Sequence, residues 1–191
     1  MDSIFLYVEK NGEITITGLK EGVSDTSIVI PETIDGMPVV EIGPKAFEFS
    51  TITDIKIGKN IKKIGEKAFY MCEKLQSVTW HCQCDVIPAD CFFGCSDLTQ
   101  FDFSNIKRIE VRAFRDSGLT SVTLNKGTAV DQNCFAQCND LKKIEWLSDR
   151  SIEGDIFMGC KNIKEIFISD NVKNIEVSAF AFSPNAEITF V

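Results

Sequence analysis

Apolar positions along the chain recur with a period of about 22 residues. A small or aliphatic residue followed by phenylalanine marks each period, and successive phenylalanines are 22, 23, 22, 21, 22 and 23 residues apart. They are Phe47, Phe69, Phe92, Phe114, Phe135, Phe157 and Phe180. Five positions before each of them stands an aliphatic residue, in the series Ile42, Ile64, Ile87, Ile109, Val130, Ile152 and Ile175. A repeat of this length predicts a solenoid, because one unit cannot bury its own apolar side whereas stacked units can.

An apolar-x-apolar pair follows each phenylalanine by eight or nine positions, which is typical of a short strand with one buried face. The pairs are Ile55/Ile57, Val78/Trp80, Phe101/Phe103, Val122/Leu124, Ile144/Trp146, Ile166/Ile168 and Ile188/Phe190, with Ile28/Ile30 as an earlier rung. Stacking predicts a parallel β-sheet on the concave face and a ladder of phenylalanines inside. Between each phenylalanine and its strand we expect an irregular arc with a helical turn or short 3₁₀ stretch.

The first residues have a different pattern. Two alternating apolar runs flank Asn11–Gly12, which predicts a β-hairpin that covers the N-terminal end of the core. Asp35–Gly36 marks a second turn. We therefore predict one domain over residues 1–191, with an N-terminal cap and first rung in 1–30 and seven repeats in 42–191.

Two segments carry a family resemblance, residues 64–78 (IGEKAFYMCEKLQSV) and residues 30–43 (IPETIDGMPVVEIG). They resemble the BspA-like leucine-rich repeat family over essentially the whole chain after the hairpin. The resemblance implies a leucine-rich-repeat solenoid, and family members are generally surface or secreted interaction proteins of bacteria and some parasitic protists. The family repeat has no catalytic residues, so the resemblance implies no enzyme activity and no cofactor.

The net charge of −8 disfavours a nucleic-acid partner, since phosphate binding needs clustered lysine and arginine. No apolar run is long enough to insert into a membrane. The start of the chain lacks the basic and apolar regions of a secretion signal, which predicts a cytoplasmic protein although the family is often at the surface.

Eight cysteines raise the question of disulfides and metal sites. The third residue after the phenylalanine is cysteine in the longer arcs, at Cys72, Cys95, Cys138 and Cys160, and serine in the shorter ones, at Ser50, Ser117 and Ser183. These repeat positions predict packing roles and free thiols. His81, Cys82 and Cys84 form the one local cluster of soft ligands, a weak metal candidate beside the expectation of no metal.

The residues that flank each buried pair form two outward columns. One consists of Ser27, Asp54, Ser77, Gln100, Ser121, Lys143, Glu165 and Glu187, and the other of Val29, Lys56, Thr79, Asp102, Thr123, Glu145, Phe167 and Thr189. The carboxylates Asp54, Asp102, Glu145 and Glu165 are interpreted as solvated strand residues, since no motif pairs them for glycoside hydrolysis.

Phe167 is the aromatic residue of these columns, and with Lys143, Glu145 and Glu165 it predicts a binding surface. We therefore predict a non-enzymatic protein-binding scaffold or adhesin-like module. The alternative is a carbohydrate- or small-ligand-binding surface. The final strand, residues 187–190, has one unpaired edge, which predicts weak self-association through the C-terminal end.

Overall fold

The computed structural model describes residues 3–191, and within them the chain consists of strands and turns without a helix. Met1 and Asp2, with which the predicted cap begins, lie outside the described residues. The rungs stack as a solenoid of parallel strands, which confirms the predicted fold class. The strands are β1 (Phe5–Lys10), β2 (Glu13–Leu19), β3 (Ser27–Val29), β4 (Thr33–Ile34), β5 (Met37–Ile42), β6 (Asp54–Ile57), β7 (Lys63–Ile64), β8 (Ser77–Trp80), β9 (Val86–Ile87), β10 (Arg108–Ile109), β11 (Ser121–Leu124), β12 (Ala129–Val130), β13 (Lys143–Trp146), β14 (Glu165–Ile168) and β15 (Glu187–Phe190).

The apolar-x-apolar pairs form a parallel sheet along one side of the stack. Its outward surface, formed by β3, β6, β8, β11, β13, β14 and β15, is called the strand face below. In β6 the side chains of Ile55 and Ile57 are buried while Lys56 between them is exposed. The register aligns equivalent residues of successive rungs, as with Val122 and Ile144. The predicted outward columns are therefore present wherever the strands pair.

The sheet is divided in two, because the strand predicted at Phe101 and Phe103 does not form. β3, β6 and β8 make one section, and β11, β13, β14 and β15 make the other. Aromatic rings crowd the break: the ring centroids of Trp80 and Phe101 lie 5.6 Å apart, and those of Phe101 and Phe103 lie 5.0 Å apart. Trp146 stays in a regular strand because its neighbours in register are aliphatic. Successive aromatic rungs overfill the space that regular strand spacing provides.

The aliphatic column five residues before each phenylalanine forms a second parallel ladder, which the sequence pattern alone did not reveal. β5 pairs with β7, and β10 pairs with both β9 and β12. A bridge between Ile152 and Ile175 continues this ladder in the last repeats. The solenoid therefore has two ladders of paired strands rather than the single sheet that was expected.

A proline interrupts this second ladder between β7 and β9. At the equivalent position one rung earlier, the backbone N–H of Gly65 donates to the carbonyl of Ile42 at 2.8 Å, and one rung later that of Glu110 makes the same bond at 2.9 Å. Pro88 occupies the position between them and has no N–H, so it cannot make the corresponding bond to Ile64. Proline therefore accounts for one missing bond of the ladder. A second, from Asp85 N to Lys62 O, is also absent from the described chain, although Lys62 N and Lys107 N make the equivalent bonds at 2.8 and 2.7 Å.

The repeat phenylalanines stack as the predicted ladder in the core. Successive ring centroids are 5.1 to 5.8 Å apart and the ring planes are within 25° of parallel. Six rings are buried, and Phe180 in the last repeat is half-buried. The buried apolar residues form one cluster from Phe5 to Ala179. The ladder therefore joins all seven repeats.

Each arc around a phenylalanine consists of consecutive turns, in place of the predicted helical or 3₁₀ stretch. In the first repeat, four-residue turns close at Ala46 and Ser50, whose N–H groups donate to the carbonyl three residues back at 3.3 and 3.0 Å. The third residues of these turns, Lys45 and Phe49, have positive φ of 60° and 59°. Their N–H groups donate to carbonyls of the next rung at 3.0 and 2.9 Å. A helix would use these donors within the arc, so bonding between rungs favours turns.

The N-terminal cap is the predicted hairpin. β1 and β2 pair antiparallel around Asn11 and Gly12, whose φ angles of 56° and 75° suit a two-residue turn. β2 in turn pairs parallel with β5, so the cap continues the second ladder. The predicted turn at Asp35–Gly36 lies between β4 and β5 and also has positive φ at both residues.

Candidate functional site

The four residues predicted to bind a partner meet on the strand face of β13 and β14. The parallel register places Lys143 beside Glu165 and Glu145 beside Phe167. Because Lys143 and Glu145 are two residues apart on one strand, their side chains leave the same face. We call these four residues the β13–β14 patch.

Lys143 is the centre of the patch. Its Nζ lies 2.7 Å from Oε1 of Glu145 and 5.1 Å from the centroid of the Phe167 ring. The hydrogen bond that Lys143 donates to Glu145 raises the pKa of Lys143, and the Lys143 ammonium with the Thr123 hydroxyl lowers the pKa of Glu145. Oε2 of Glu145 accepts from Thr123 Oγ1 at 2.8 Å. The patch is thus an ordered chain of polar contacts across three strands.

Phe167 was expected to be the exposed aromatic residue of the columns, and it is half-buried. Lys143 covers one side of its ring through the cation–π contact. Register fixes which residues are neighbours, but the lysine rotamer decides how much of the ring is open. A partner would therefore contact Lys143 stacked on the Phe167 ring, rather than a fully exposed ring.

His81, Cys82 and Cys84 are close in sequence but do not assemble as ligands. His81 is exposed, Cys82 is half-buried, and Cys84 is buried with its Sγ 3.7 Å from the carbonyl oxygen of Ile61. A hydrogen bond from the Cys84 thiol lowers the pKa of Cys82, whereas hydrogen bonding to Cys82 and burial raise the pKa of Cys84. Within residues 3–191, no group of three or more histidine, cysteine, aspartate or glutamate side chains is arranged to hold a metal ion.

The cysteines that end the longer arcs act as hydrogen-bond donors, a role that the sequence did not reveal. In each case the thiol donates to the carbonyl of the phenylalanine in the preceding repeat. The Sγ-to-oxygen distances are 2.9 Å for Cys72 to Phe47, 3.2 Å for Cys95 to Phe69, 3.1 Å for Cys138 to Phe114 and 3.0 Å for Cys160 to Phe135. Burial raises the pKa of Cys72 to about 12 and that of Cys95 well above its ordinary value. All eight cysteines are unpaired.

A second group of aromatic residues lies on the outside of the arcs, and the sequence reasoning missed it. The ring of Tyr70 is 5.8 Å from that of Phe49 and 5.0 Å from that of Phe93, and Lys67 Nζ lies 5.5 Å above Tyr70. Phe49 is exposed and the other two rings are half-buried. The available signal was that an aromatic residue directly follows the repeat phenylalanine in two successive repeats.

A family model described as BspA type leucine rich repeat region matches the chain in six copies, over residues 20–142 and 128–191. No curated protein matches the chain. Several solved structures do. A leucine-rich repeat protein from Bacteroides ovatus ATCC 8483 is 25% identical with a TM-score of 0.77, over 98% of this chain and 54% of that one. The chain thus spans about half the length of that protein.

Two further structures share the fold at lower identity. The pneumococcal vaccine antigen PcpA is 18% identical with a TM-score of 0.57, over 100% of this chain and 49% of that one. The T. pallidum leucine rich repeat protein (TpLRR) is 20% identical with a TM-score of 0.51, over 90% of this chain and 78% of that one. These two likenesses describe the architecture alone.

Proposed function

Because the chain belongs to the BspA type leucine-rich repeat family, we propose that it is a non-enzymatic scaffold or adhesin-like module that binds a protein partner through its strand face. The observation that carries this proposal is the β13–β14 patch. Lys143 there is held between a carboxylate at 2.7 Å and an aromatic ring at 5.1 Å. Aromatic and cationic residues that are fixed in place before binding are typical of interface hot spots.

The patch is supported by paired strands on both sides. β13 pairs with β11 and β14, and β14 pairs with β15, so its backbone is fixed by hydrogen bonds. A partner that presents a carboxylate to Lys143 and an apolar side chain to Phe167 would complement it. Glu165 beside them is exposed and favours a basic group nearby on the partner.

Other parts of the functional prediction follow from charge and family. The net charge of −8 argues against a nucleic-acid partner. Residues 3–191 contain no helix that is long and apolar enough to cross a membrane. The cytoplasmic location predicted from the first residues is not supported by the similar proteins. The family resemblance favours a surface-exposed setting.

The last rung supports self-association as a second property of this module. In β15 the side chains of Ile188 and Phe190 are 48% and 57% exposed, although the equivalent residues of β11, β13 and β14 are buried. β15 pairs with β14 on one side, and its other edge has no strand partner within residues 3–191. Two copies related by a two-fold axis would pair these edges antiparallel.

The binding proposal is tested with immobilised protein and surface extract of the source cell. Phe167→Ala removes the support of Lys143, and Val29→Ala is the matched control, since Val29 occupies the same column in the first rung and is exposed. A partner retained by the parent and by Val29→Ala but lost with Phe167→Ala supports the proposal. Retention of every bound protein by Phe167→Ala contradicts it.

A further inference from the structure

The break in the strand face leaves part of one rung without backbone partners. Two hydrogen bonds tie the ends of this segment to the following rung, from Thr120 N to Thr99 O at 3.0 Å and from Asn125 Nδ2 to Ser104 O at 3.2 Å. Between these bonds, the backbone of residues 100–103 makes none to β8 or β11 within the described chain. The carbonyl of Phe103 accepts from Ile106 N at 3.0 Å. The other N–H and C=O groups of this segment, which would otherwise complete a parallel ladder, are therefore available to a ligand.

Two adjoining clefts lie beside this segment. One of about 410 Å³ lies towards β11, and one of about 390 Å³ lies towards β8. Gln100, Phe101 and Asp102 line both, so the segment forms a ridge between two open sites. Clefts of a few hundred cubic ångströms are the size that small ligands occupy in proteins.

The two clefts are lined by few kinds of side chain. Apart from the apolar residues, the side chains are hydroxyls and carboxamides, and Asp102 is the one ionisable residue among them. Gln100 and Asp102 are exposed, and Phe101 is a half-buried ring at the ridge. Oδ1 of Asp102 accepts a hydrogen bond from Ser104 N at 2.9 Å, which fixes the carboxylate in place. Hydrogen bonds from Ser104 keep the pKa of Asp102 below its ordinary value, so the carboxylate accepts hydrogen bonds at neutral pH.

From these features we infer that the break is a binding site for a neutral oligosaccharide, with one sugar unit in each cleft and the ridge between them. Sugar hydroxyls both donate and accept hydrogen bonds, as do the hydroxyl and carboxamide side chains of the lining. The carboxylate of Asp102 disfavours anionic ligands such as phosphates, as do those of Asp54 and Glu145, which accept hydrogen bonds from Ser77 and Thr123 of the lining. This site adjoins the β13–β14 patch, because Thr123 lines the cleft towards β11 and donates a hydrogen bond to Glu145. The inference does not depend on the protein-binding proposal.

The spacing of the aromatic rings argues against an extended peptide as the occupant. An added strand needs about 4.8 Å of separation from each neighbouring strand. The rings of Trp80 and Phe101 are 5.6 Å apart and those of Phe101 and Phe114 are 5.1 Å apart, so the core beneath the break is closed. The opening lies at the surface, and an inserted strand would have to separate these rings, whereas a sugar chain lying across the surface would not.

The test uses the 191-residue chain with ¹⁵N labelling and a panel of cello-, malto-, manno- and chitohexaose. We expect at least one of these sugars to shift the backbone amide signals of residues 100–103. Asp102→Ala should weaken that binding by roughly tenfold, because a hydrogen bond to a charged group is lost. Gln100→Ala should weaken it less. Both side chains are exposed, so both variants are expected to fold.

Phe167→Ala is the matched control, and its sugar binding should equal that of the parent. If no hexasaccharide of the panel shifts these amides, or if Asp102→Ala and Gln100→Ala bind as the parent does, the inference is wrong. It is equally wrong if the tetrapeptide Val-Thr-Val-Thr shifts these amides and the sugars do not. Loss of protein capture with Phe167→Ala while sugar binding persists would show that the two sites are separate.

Discussion

The thiol of Cys72 donates a hydrogen bond to the carbonyl oxygen of Phe47 in the preceding repeat, with 2.9 Å between sulfur and oxygen. The same bond recurs wherever a cysteine ends the arc. It links successive arcs through a carbonyl that also accepts from the N–H of its own turn, as Phe47 O does from Ser50 N at 3.0 Å. The bond between the arcs depends on the thiol remaining protonated. The stability of the stack is therefore coupled to cysteine ionisation.

This coupling predicts loss of stability at alkaline pH. Burial raises the pKa of Cys72 from its ordinary value of 9.0 to about 12 in the folded chain. A group with a raised folded pKa contributes stability below its unfolded pKa and loses it as pH rises towards the folded pKa. The free energy of unfolding, measured in urea, should therefore fall between about pH 9 and pH 12. Cys72→Ser keeps a donor that does not ionise in this range and should show a shallower decline; an unchanged slope would contradict the assignment.

The phenylalanine ladder predicts the largest losses on truncation. Phe114→Ala should lower the free energy of unfolding by roughly 3–5 kcal/mol, because a fully buried ring is replaced by a cavity. Phe180→Ala is the matched control at the half-buried end of the same ladder and should cost clearly less. Urea denaturation followed by circular dichroism measures both. Equal unfolding midpoints for Phe114→Ala and the parent would rule out the ladder as the main source of stability.

The eight cysteines predict a simple thiol count. In the native protein, without reductant, a thiol reagent should react first with Cys82, which is half-buried and whose pKa is lowered. The other seven are buried and should react only after denaturation, which brings the total to eight. Cys82→Ser should remove the fast native reaction. A total of two or fewer after unfolding would mean that disulfides are present.

The positive φ angles of the arcs predict where glycine stabilises the chain. Asp116 is exposed and has a φ of 59°. Asp116→Gly should be more stable than Asp116→Ala by about 1 kcal/mol, since glycine adopts this backbone conformation without the strain imposed by a Cβ atom. Thermal unfolding of the two variants measures the difference. The reverse order would show that the turn at this position is not as described.

Self-association through β15 predicts a mass that rises with concentration. Light scattering across a concentration series should show dimers for the parent, and Phe190→Glu should remain monomeric because it places a charge on the exposed edge. Val29→Glu adds the same charge at the opposite end of the strand face and should behave as the parent does. A strictly monomeric parent at every concentration would sink this proposal.

The sequence pattern predicted the features that depend on burial within one repeat. Period and alternation were sufficient for the phenylalanine ladder, the hairpin cap and the outward columns. The break at Phe101 was missed because Phe101 and Phe103 alternate as a strand does, and their conflict with Trp80 arises only when rungs stack. The arcs were mistaken for helical stretches because Lys45, Phe49 and similar residues, rather than glycine, adopt positive φ.

In the candidate site, too, the sequence predicted which residues are neighbours but not how their side chains are arranged. Register made Lys143 and Phe167 predictable neighbours, but the cover that the lysine places over the ring depends on its rotamer. Proline lacks the N–H donor that every rung of the second ladder needs, so the interruption at Pro88 could have been predicted from the sequence. It was not, because the second ladder itself had not been predicted.

The two interruptions fall in one stretch of the chain, and together they change its mechanics. Between β7 and β9 the second ladder is open, and between β8 and β11 the strand face is open. The arc side stays bonded through these repeats, as in the 3.0 Å bond from Phe69 N to Cys91 O and the 2.8 Å bond from Phe92 N to Ala113 O. In these repeats the rungs are hydrogen-bonded along the arc side and not along the strand face or the second ladder. The stack should therefore bend most easily there, by opening the two unbonded sides. We therefore expect the solenoid to contain two stiff segments with a compliant joint between them, and a pulling force along its axis to extend that joint first.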